Sequence, residues 1–208
     1  MKRDGYEVLI FDLQKSSPMS AMLYEGVSDE NLSDIETLWR PELEVAAKKA
    51  KGQPGEEFLP IGDAHWDWNS KVQRNRDMLA ISYFVIECEG KLQAIMQMET
   101  IAHRSKLDAG KEIAYVEFLS VAPWNRRFVS DNPRFKRCGS FLIAQAIGTS
   151  QELGFEGRIG LHSLPSASKW YGNLGMTTCG KDVAYENLEY FEFSSQAAAT
   201  FLKGGSNV

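Results

Sequence analysis

A short basic segment stands directly before an apolar helical pattern and has the composition of an anion-binding site. Arg134, Lys136 and Arg137 lie within four residues, Gly139 follows, and the pattern Cys138–Leu153 predicts a helix. The start of a helix presents unpaired N–H groups and the positive end of its dipole, and glycine permits close backbone approach. The segment therefore predicts a site for a phosphate-bearing ligand. It contains neither a Walker motif nor the GxGxxG dinucleotide fingerprint.

The positive charge is concentrated around this segment. Between Arg126 and Arg137 there are five basic residues and one acidic residue, whereas the rest of the chain has 18 basic and 27 acidic residues. Such a run is commonly only a solvated surface, but its place before a helix favours a ligand with several phosphates. Coenzyme A, with a pyrophosphate and a 3′-phosphate, fits that excess of positive charge.

The composition of the 208-residue chain argues against several classes of protein. A net charge of −5 disfavours general nucleic-acid binding. No apolar run approaches the ~18 residues that a membrane span needs. The apolar run near the N-terminus covers only Val8–Phe11 and predicts a strand rather than a signal peptide, so we expect a cytoplasmic protein.

Neither the cysteines nor the histidines have the spacing of a metal site. The three cysteines form no CxxC pair, and the three histidines are isolated from one another. The sequence therefore predicts no metal and no disulfide. These residues are Cys88, Cys138, Cys179, His65, His103 and His162.

The remaining patterns predict the elements that position the basic segment. In chain order we expect a strand over Tyr6–Leu13, one or two helices between Ser28 and Gly52, a helix over 63–79, two strands of a hairpin around Glu89–Gly90, a strand that ends at Pro123, the helix Cys138–Leu153, a strand over 157–164, a short helix closed by Gly175 and a last strand over 188–194. This order predicts an α+β fold with helices flanking a mostly antiparallel sheet.

Local signals also place the element ends and the domain limits. Ser33 with Glu36 fits a capping box, Pro41 suits the first turn of a second helix, and Asp63 fits an N-cap. Gly52, Pro54 and Gly55 are typical of the end of that second helix. The sequence predicts a single domain over residues 1–203 and a frayed tail over 204–208.

The segment from Tyr115 to Met176 resembles the GNAT superfamily, the acyl-CoA-dependent N-acyltransferases. "FLSVAPWNRR" is similar to the family's strand and turn, and "RFKRCG" is similar to its Q/R-x-x-G-x-G/A loop. Arg134 stands at the Q/R position and Gly139 at the last glycine, while Arg137 replaces the middle glycine. "GRIGLHSLP" and "HWDW" resemble a bacterial branch of the superfamily.

A second motif follows about 30 residues later. "SASKWYGNLGM" resembles the family's A-x-x-[FL]-Y-x-x-x-G-[FM] segment, with Ala167, Trp170, Tyr171, Gly175 and Met176 in register. The resemblance implies a GNAT-like fold and transfer of an acetyl group from acetyl-CoA to a primary amine by direct attack. It implies that Tyr171 protonates the departing thiolate. The alternative for Tyr171 is an aromatic residue that only packs on the sheet.

The resemblance also implies a set of residues that contact acetyl-CoA. Basic side chains and backbone N–H groups would bind the phosphates, and strand backbone would hold the pantetheine arm and polarise the thioester carbonyl. Ser168 would reach the same arm, or only begin a helix. The full set is Leu119, Val121, Arg126, Arg127, Arg134, Phe135, Lys136, Arg137, Cys138, Gly139, Ser140 and Ser168.

Glu117 is a candidate base because it interrupts an otherwise apolar strand. The period of two places it on one face with Tyr115, Leu119 and Val121. An amine with a pKa near 10.4 is mostly protonated at neutral pH, so a base is useful, and the resemblance implies that role. The alternatives are an ion pair with a neighbouring strand or an acid that faces an edge.

Two further candidates have competing interpretations. Cys138 has the helix-start position of a nucleophile, but the family transfers the acyl group directly. Residues His65 to Trp68 are either an acceptor pocket or, as we favour, packing tryptophans and a capping aspartate.

The acidic remainder of the chain favours a cationic small molecule or a lysine-bearing peptide as acceptor and disfavours aminoacyl-tRNA. The sequence is compatible with a homodimer. The two alternatives to an enzyme are a CoA-binding sensor without turnover and a protein-interaction module.

Overall fold

A computed structural model describes residues 3 to 50 and 62 to 204 of the chain. The predicted helix end at Gly52, Pro54 and Gly55 and the tail beyond Gly204 lie outside the described residues. The chain divides into two compact units. Unit one comprises Met1–Met96 and Leu119–Leu142, and unit two comprises Gln97–Phe118 and Ile143–Val208.

The described strands are β1 (Gly5–Asp12), β2 (Ser17–Glu25), β3 (Ile81–Cys88), β4 (Lys91–Glu99), β5 (Ala114–Val121), β6 (Phe135–Lys136), β7 (Ile159–Ser163), β8 (Thr177–Asp182) and β9 (Leu188–Phe193). The helices are α1 (Asp29–Asp34), α2 (Arg40–Ala50), α3 (Trp68–Arg74), α4 (Cys138–Glu152), α5 (Ser168–Leu174) and α6 (Ser195–Gly204). A π-helical turn, Ile35–Trp39, joins α1 to α2. β4, β5 and α4 contribute residues to both units.

The sheet of unit one has the strand order β6-β1-β2-β3-β4-β5. β1 pairs antiparallel with β2 from Gly5↔Tyr24 to Asp12↔Ser17, and β6 pairs with the other edge of β1. The sequence patterns did not predict β2, because its serine and methionine residues have weak strand propensity and Pro18 suggests a break. Pro18 is tolerated there because it is only the second residue of the strand.

The hairpin between β3 and β4 is confirmed at the predicted turn. Glu89 and Gly90 both have positive φ, 52° and 70°, as a type I′ turn requires. The interior of unit one is apolar, with Ile86, Leu92 and Ile95 fully buried.

Two predicted helix starts are wrong. The capping box of α1 is formed by Ser28 and Asn31 rather than by Ser33 and Glu36. Ser33 already lies inside α1, and Glu36 instead accepts two hydrogen bonds from Arg40 at 2.7 and 2.8 Å.

The N-cap of α3 is Asp67, whose carboxylate accepts from the Ser70 N–H at 2.9 Å; Asp63, predicted to cap this helix, is not its N-cap. A buried tryptophan, Trp68, begins α3, and its ring meets that of Trp66 edge to face at 6.0 Å. The favoured interpretation of the "HWDW" segment, packing and capping, is confirmed at Asp67 and Trp68.

The sheet of unit two has the strand order β4-β5-β7-β9-β8. β5 and β7 are parallel over Ala114–Val116 and Ile159–Leu161, whereas β9 is antiparallel to both β7 and β8. Gly175 closes α5 with φ 95°, as predicted. β8 and α6 were not predicted from the sequence. The fold class, α+β with a mostly antiparallel sheet, is confirmed.

Candidate functional site

The basic segment is anchored to β1 by its backbone. Phe135 and Lys136 form β6, and the Arg134 carbonyl accepts a hydrogen bond from the Leu13 N–H at 2.7 Å. The Phe135 N–H donates to the Asn125 side chain at 2.9 Å. The segment that leads into α4 is therefore held by hydrogen bonds to Leu13 and Asn125, and the side chain of Phe135 is buried.

Arg137 has a backbone conformation that favours glycine. Its φ is 78°, in the left-handed region that non-glycine residues seldom adopt. Its carbonyl accepts the first bond of α4 from the Phe141 N–H at 2.9 Å. The N–H groups of Cys138, Gly139 and Ser140 precede that bond, so they have no acceptor within the helix. This end of α4 presents the donors that an anion needs.

Arg126 lies in a buried ion pair that the sequence did not reveal. Its guanidinium donates to both oxygens of Asp63 at 2.8 and 2.7 Å, and the two side chains are only 17% and 8% exposed. It also donates to the Val121 carbonyl at 2.5 Å and to Ser120 Oγ at 2.9 Å. The charge of Arg126 is thus neutralised within unit one. Burial acts to raise the pKa of Asp63, but the charge and hydrogen bonds of Arg126 outweigh it and hold that pKa below its usual value.

Arg134 is also paired with carboxylates. Its Nη2 donates to Glu89 at 2.5 Å, and its Nε lies 3.9 Å from a carboxylate oxygen of buried Asp12. Arg127 and Lys136 are exposed, and Arg137 is half-buried. The positive charge open to a ligand is therefore smaller than the count of basic residues suggests.

Cys138 is unsuited to nucleophilic attack. Its side chain is buried, and burial raises the pKa of its thiol to about 12. A thiol held in its neutral form is a poor nucleophile. Direct transfer, the interpretation that the sequence favoured, needs no nucleophile here.

Glu117 follows the last pair of the β5–β7 parallel ladder, which ends at Val116. Its side chain is exposed and accepts a hydrogen bond from the Gln97 amide on β4. Leu119 and Val121, farther along β5 in unit one, are half-buried. A carboxylate at this point is accessible to a ligand, and its partner is an amide rather than the cation of an ion pair.

Tyr171 is a buried residue of α5 in unit two. Its ring packs against Trp170 at 4.8 Å and Phe191 of β9 at 6.0 Å between centroids. Ser168, the first residue of α5, donates through Oγ to Ser163 Oγ at 3.2 Å. The ring of Tyr171 therefore packs on the sheet, and its role as an acid stays a prediction.

Sequence reasoning missed a cluster of rings in unit two. His103 and His162 are far apart in the chain, yet both contact the buried Tyr115, whose hydroxyl lies 2.7 Å from His162 Nδ1. The only indication in the sequence was the alternation of side chains along β5, which placed Tyr115 on the same face as Glu117. Among the described residues no group of three His, Cys, Asp or Glu is arranged to hold a metal. No described helix combines the length and apolar character that a membrane crossing requires.

The comparison with solved structures identifies the fold. The GNAT domain of S. lividans PAT is 17% identical, with 91% of this chain and 96% of that domain aligned at a TM-score of 0.54. A mutant AtaT toxin bound to the C-terminus of the antitoxin AtaR is 12% identical over 88% and 96% of the two chains, with a TM-score of 0.52. A Desulfovibrio desulfuricans protein assigned to the GNAT acetyltransferases is 10% identical over 84% and 99%, with a TM-score of 0.51.

No protein-family model matches the sequence, and no curated protein matches it significantly. At these identities the structural likeness establishes the fold and leaves the substrate open. The chain therefore has the fold of the GNAT N-acetyltransferases.

Proposed function

We propose that the protein is an N-acyltransferase that moves an acetyl group from acetyl-CoA to a primary amine. The GNAT fold supports acyl transfer as the class of reaction. The observation that carries the proposal is the backbone at the start of α4. There Arg137, which stands where the family motif has a glycine, has a positive φ, and three N–H groups without an acceptor in the helix follow it.

The residues present fit the phosphates of coenzyme A. The N–H groups of Cys138, Gly139 and Ser140 would bind the pyrophosphate, because a helix start favours negative charge. The exposed side chains of Lys136 and Arg127 would add charge-assisted hydrogen bonds. Arg134 would have to exchange its bond to Glu89 for a phosphate. Arg126 is a less suitable ligand, because leaving Asp63 would strand a buried carboxylate.

Acetyl-CoA, when bound, supplies an activated thioester. Glu117 accepts a proton from the ammonium form of the acceptor, which makes the nitrogen nucleophilic. The nitrogen forms a bond to the acetyl carbon as the C–S bond breaks, and Tyr171 donates a proton to the departing sulfur. The proton taken by Glu117 reaches solvent, and the second proton lost by the nitrogen restores the phenol of Tyr171. Backbone groups of Leu119 and Val121 would hold the pantetheine arm, and Ser168 is a further contact.

Binding and turnover are tested separately. Acetyl-CoA should raise the melting temperature, and the shift should shrink as salt screens the phosphate contacts. A panel of amines, with thiol release as the signal, then measures transfer. Binding without thiol release would identify a CoA-binding protein that lacks turnover. No thermal shift at millimolar acetyl-CoA would contradict the proposal and favour a protein-interaction module.

A pair of lysine variants localises the phosphates. Lys136→Ala should weaken acetyl-CoA binding by about 1 kcal/mol, which is about fivefold, because the contact is partly solvated. Lys203→Ala removes another exposed lysine, at the end of α6, and serves as the control. Equal losses in the two variants would show a non-specific charge effect.

A further inference from the structure

Four rings in unit two form two stacked pairs. His103 lies on Tyr115 with centroids 3.8 Å apart and planes 16° apart, and Tyr185 lies on His162 at 3.8 Å and 10°. Between the pairs, Tyr115 lies 5.8 Å from His162, and His103 lies 6.4 Å from Tyr185. We call these four residues the ring cluster. Such spacings are those of directly packed aromatic groups.

The two inner rings of the ring cluster, Tyr115 and His162, come one from each stacked pair, and both side chains are buried. Burial lowers the pKa of His162, so its imidazole is neutral near pH 7, and burial also raises the pKa of Tyr115, so its phenol keeps its proton. The Tyr115 hydroxyl lies 2.7 Å from His162 Nδ1. A carboxylate oxygen of Asp182 lies 3.4 Å from His162 Nε2, which favours the tautomer with the proton on Nε2, so the Tyr115 hydroxyl donates to Nδ1.

The two outer rings, His103 and Tyr185, reach solvent. Tyr185 is 38% exposed and the side chain of His103 is 21% exposed. One face of each outer ring is covered by the inner ring on which it stacks. The exposed area of an outer ring therefore lies on its other face and its edges. Two exposed apolar side chains, Ile101 and Leu107, lie on the same loop as His103.

The loop that carries His103 is tied to the sheet by a buried carboxylate. Glu192 of β9 accepts hydrogen bonds from Ser105 Oγ at 2.7 Å and from the Lys106 and Leu107 N–H groups at 2.6 and 3.1 Å. Three hydrogen bonds to one buried carboxylate make a firm anchor. The loop that carries His103 is thus held in place before any ligand arrives.

The surroundings of the ring cluster are suited to a cation. Glu99 lies 3.7 Å from His103, Asp182 lies beside His162, and Glu117 follows Tyr115 by two residues on the same face of β5. Lys106 Nζ lies 2.9 Å from Asp182 and 4.5 Å from the ring centroid of Tyr190. Asp182 is therefore already paired with an ammonium, and Glu99 and Glu117 are the members of this acidic group that remain for a ligand. Carboxylates combined with ring faces are the chemistry that attracts an organic ammonium.

We propose that the exposed faces of His103 and Tyr185 bind the ring of an aromatic amine, which makes arylalkylamines the acceptor class of the proposed transferase. The ring of the amine stacks on Tyr185, the more exposed of the two rings, and meets His103 at an angle, because the planes of His103 and Tyr185 differ by 49°. Its ammonium group faces the acidic side chains around the ring cluster. This inference rests on the proposed function for the transfer step. Recognition of the amine rests on the ring cluster alone.

The experiment compares two amines of matched size. Phenethylamine has a flat ring, whereas cyclohexylethylamine has an apolar ring with no π-system. With acetyl-CoA as donor, we expect a lower KM for phenethylamine than for cyclohexylethylamine.

Tyr185→Ala should raise the KM for phenethylamine about fivefold, the size of one stacking contact, with kcat nearly unchanged. Tyr185→Phe keeps the ring and should keep the parent KM. His103→Ala is a second variant of the same surface, and melting temperatures confirm that each variant is folded.

A binding measurement without acyl donor separates this inference from the proposed function. Titration with phenethylamine should shift the imidazole NMR signals of His103 and saturate, and the shift should be lost in Tyr185→Ala. If no amine is acetylated but this titration saturates, the transfer reaction is refuted and the recognition surface stands. Equal KM values for the two amines, or no shift of His103 signals in the parent protein, would overturn the inference.

Discussion

Replacing Arg126 by alanine separates a structural arginine from a phosphate ligand. In the structure Arg126 bridges Asp63, the Val121 carbonyl and Ser120, and it is 17% exposed. Removal of one partner of a buried ion pair costs about 3–5 kcal/mol, because the other charge is left without compensation. Since Asp63 keeps a hydrogen bond from Ser120, we expect the lower end, about 3 kcal/mol. For a chain of this length that corresponds to a fall in melting temperature of about 6 to 12 °C.

The pH dependence of that loss follows from Asp63. Its pKa is depressed in the folded protein, so the pair stabilises the fold above the unfolded-state pKa and loses this contribution as pH falls through the folded-state pKa. The difference in unfolding free energy between the parent and Arg126→Ala should therefore be full at pH 7 and shrink below about pH 4. Urea unfolding at a series of pH values measures it.

Arg127→Ala is the matched control, because it removes the neighbouring, exposed arginine and should change stability by less than about 0.5 kcal/mol. The double variant Asp63→Ala/Arg126→Ala should lose less than the sum of the single losses, since the two residues are coupled. Equal unfolding midpoints for Arg126→Ala and Arg127→Ala would refute the structural role. If acetyl-CoA affinity alone fell in Arg126→Ala, Arg126 would be a phosphate ligand instead.

Three further substitutions test other parts of the molecule. Tyr171→Phe should lower the single-turnover rate of acetyl transfer about 10²-fold with little change in melting temperature, and an unchanged rate would remove Tyr171 from the mechanism. Arg137→Gly should stabilise the fold by up to about 1 kcal/mol in urea unfolding, because glycine adopts φ 78° without strain; a loss of stability would contradict that reasoning. Gly160→Ala should destabilise it by about 2 kcal/mol, because a Cβ there would lie 3.0 Å from Tyr190 Cζ and 3.1 Å from Ile113; a midpoint equal to that of the parent would show that these side chains yield.

The sequence alone determined the elements whose signals are local. Alternating apolar residues around Glu89–Gly90 predicted the β3–β4 hairpin, and Gly175 predicted the end of α5, because both depend on residues close in the chain. The basic segment and the apolar helix after it likewise placed α4 within one residue at its end. The GNAT motifs predicted the fold class, and the structural likeness confirmed it.

Tertiary structure decided which charged and aromatic residues are available to a ligand. Asp63 looked like a helix cap and Arg126 like a phosphate ligand, but the fold pairs them across 63 residues of chain. His103 and His162 looked isolated, yet the fold brings both against Tyr115. A side chain's hydrogen-bond partner and its exposure depend on contacts between distant segments, and no local pattern encodes them. The sequence thus predicted where α4 begins, and the tertiary structure decided which of the nearby basic side chains are paired with carboxylates and which are exposed.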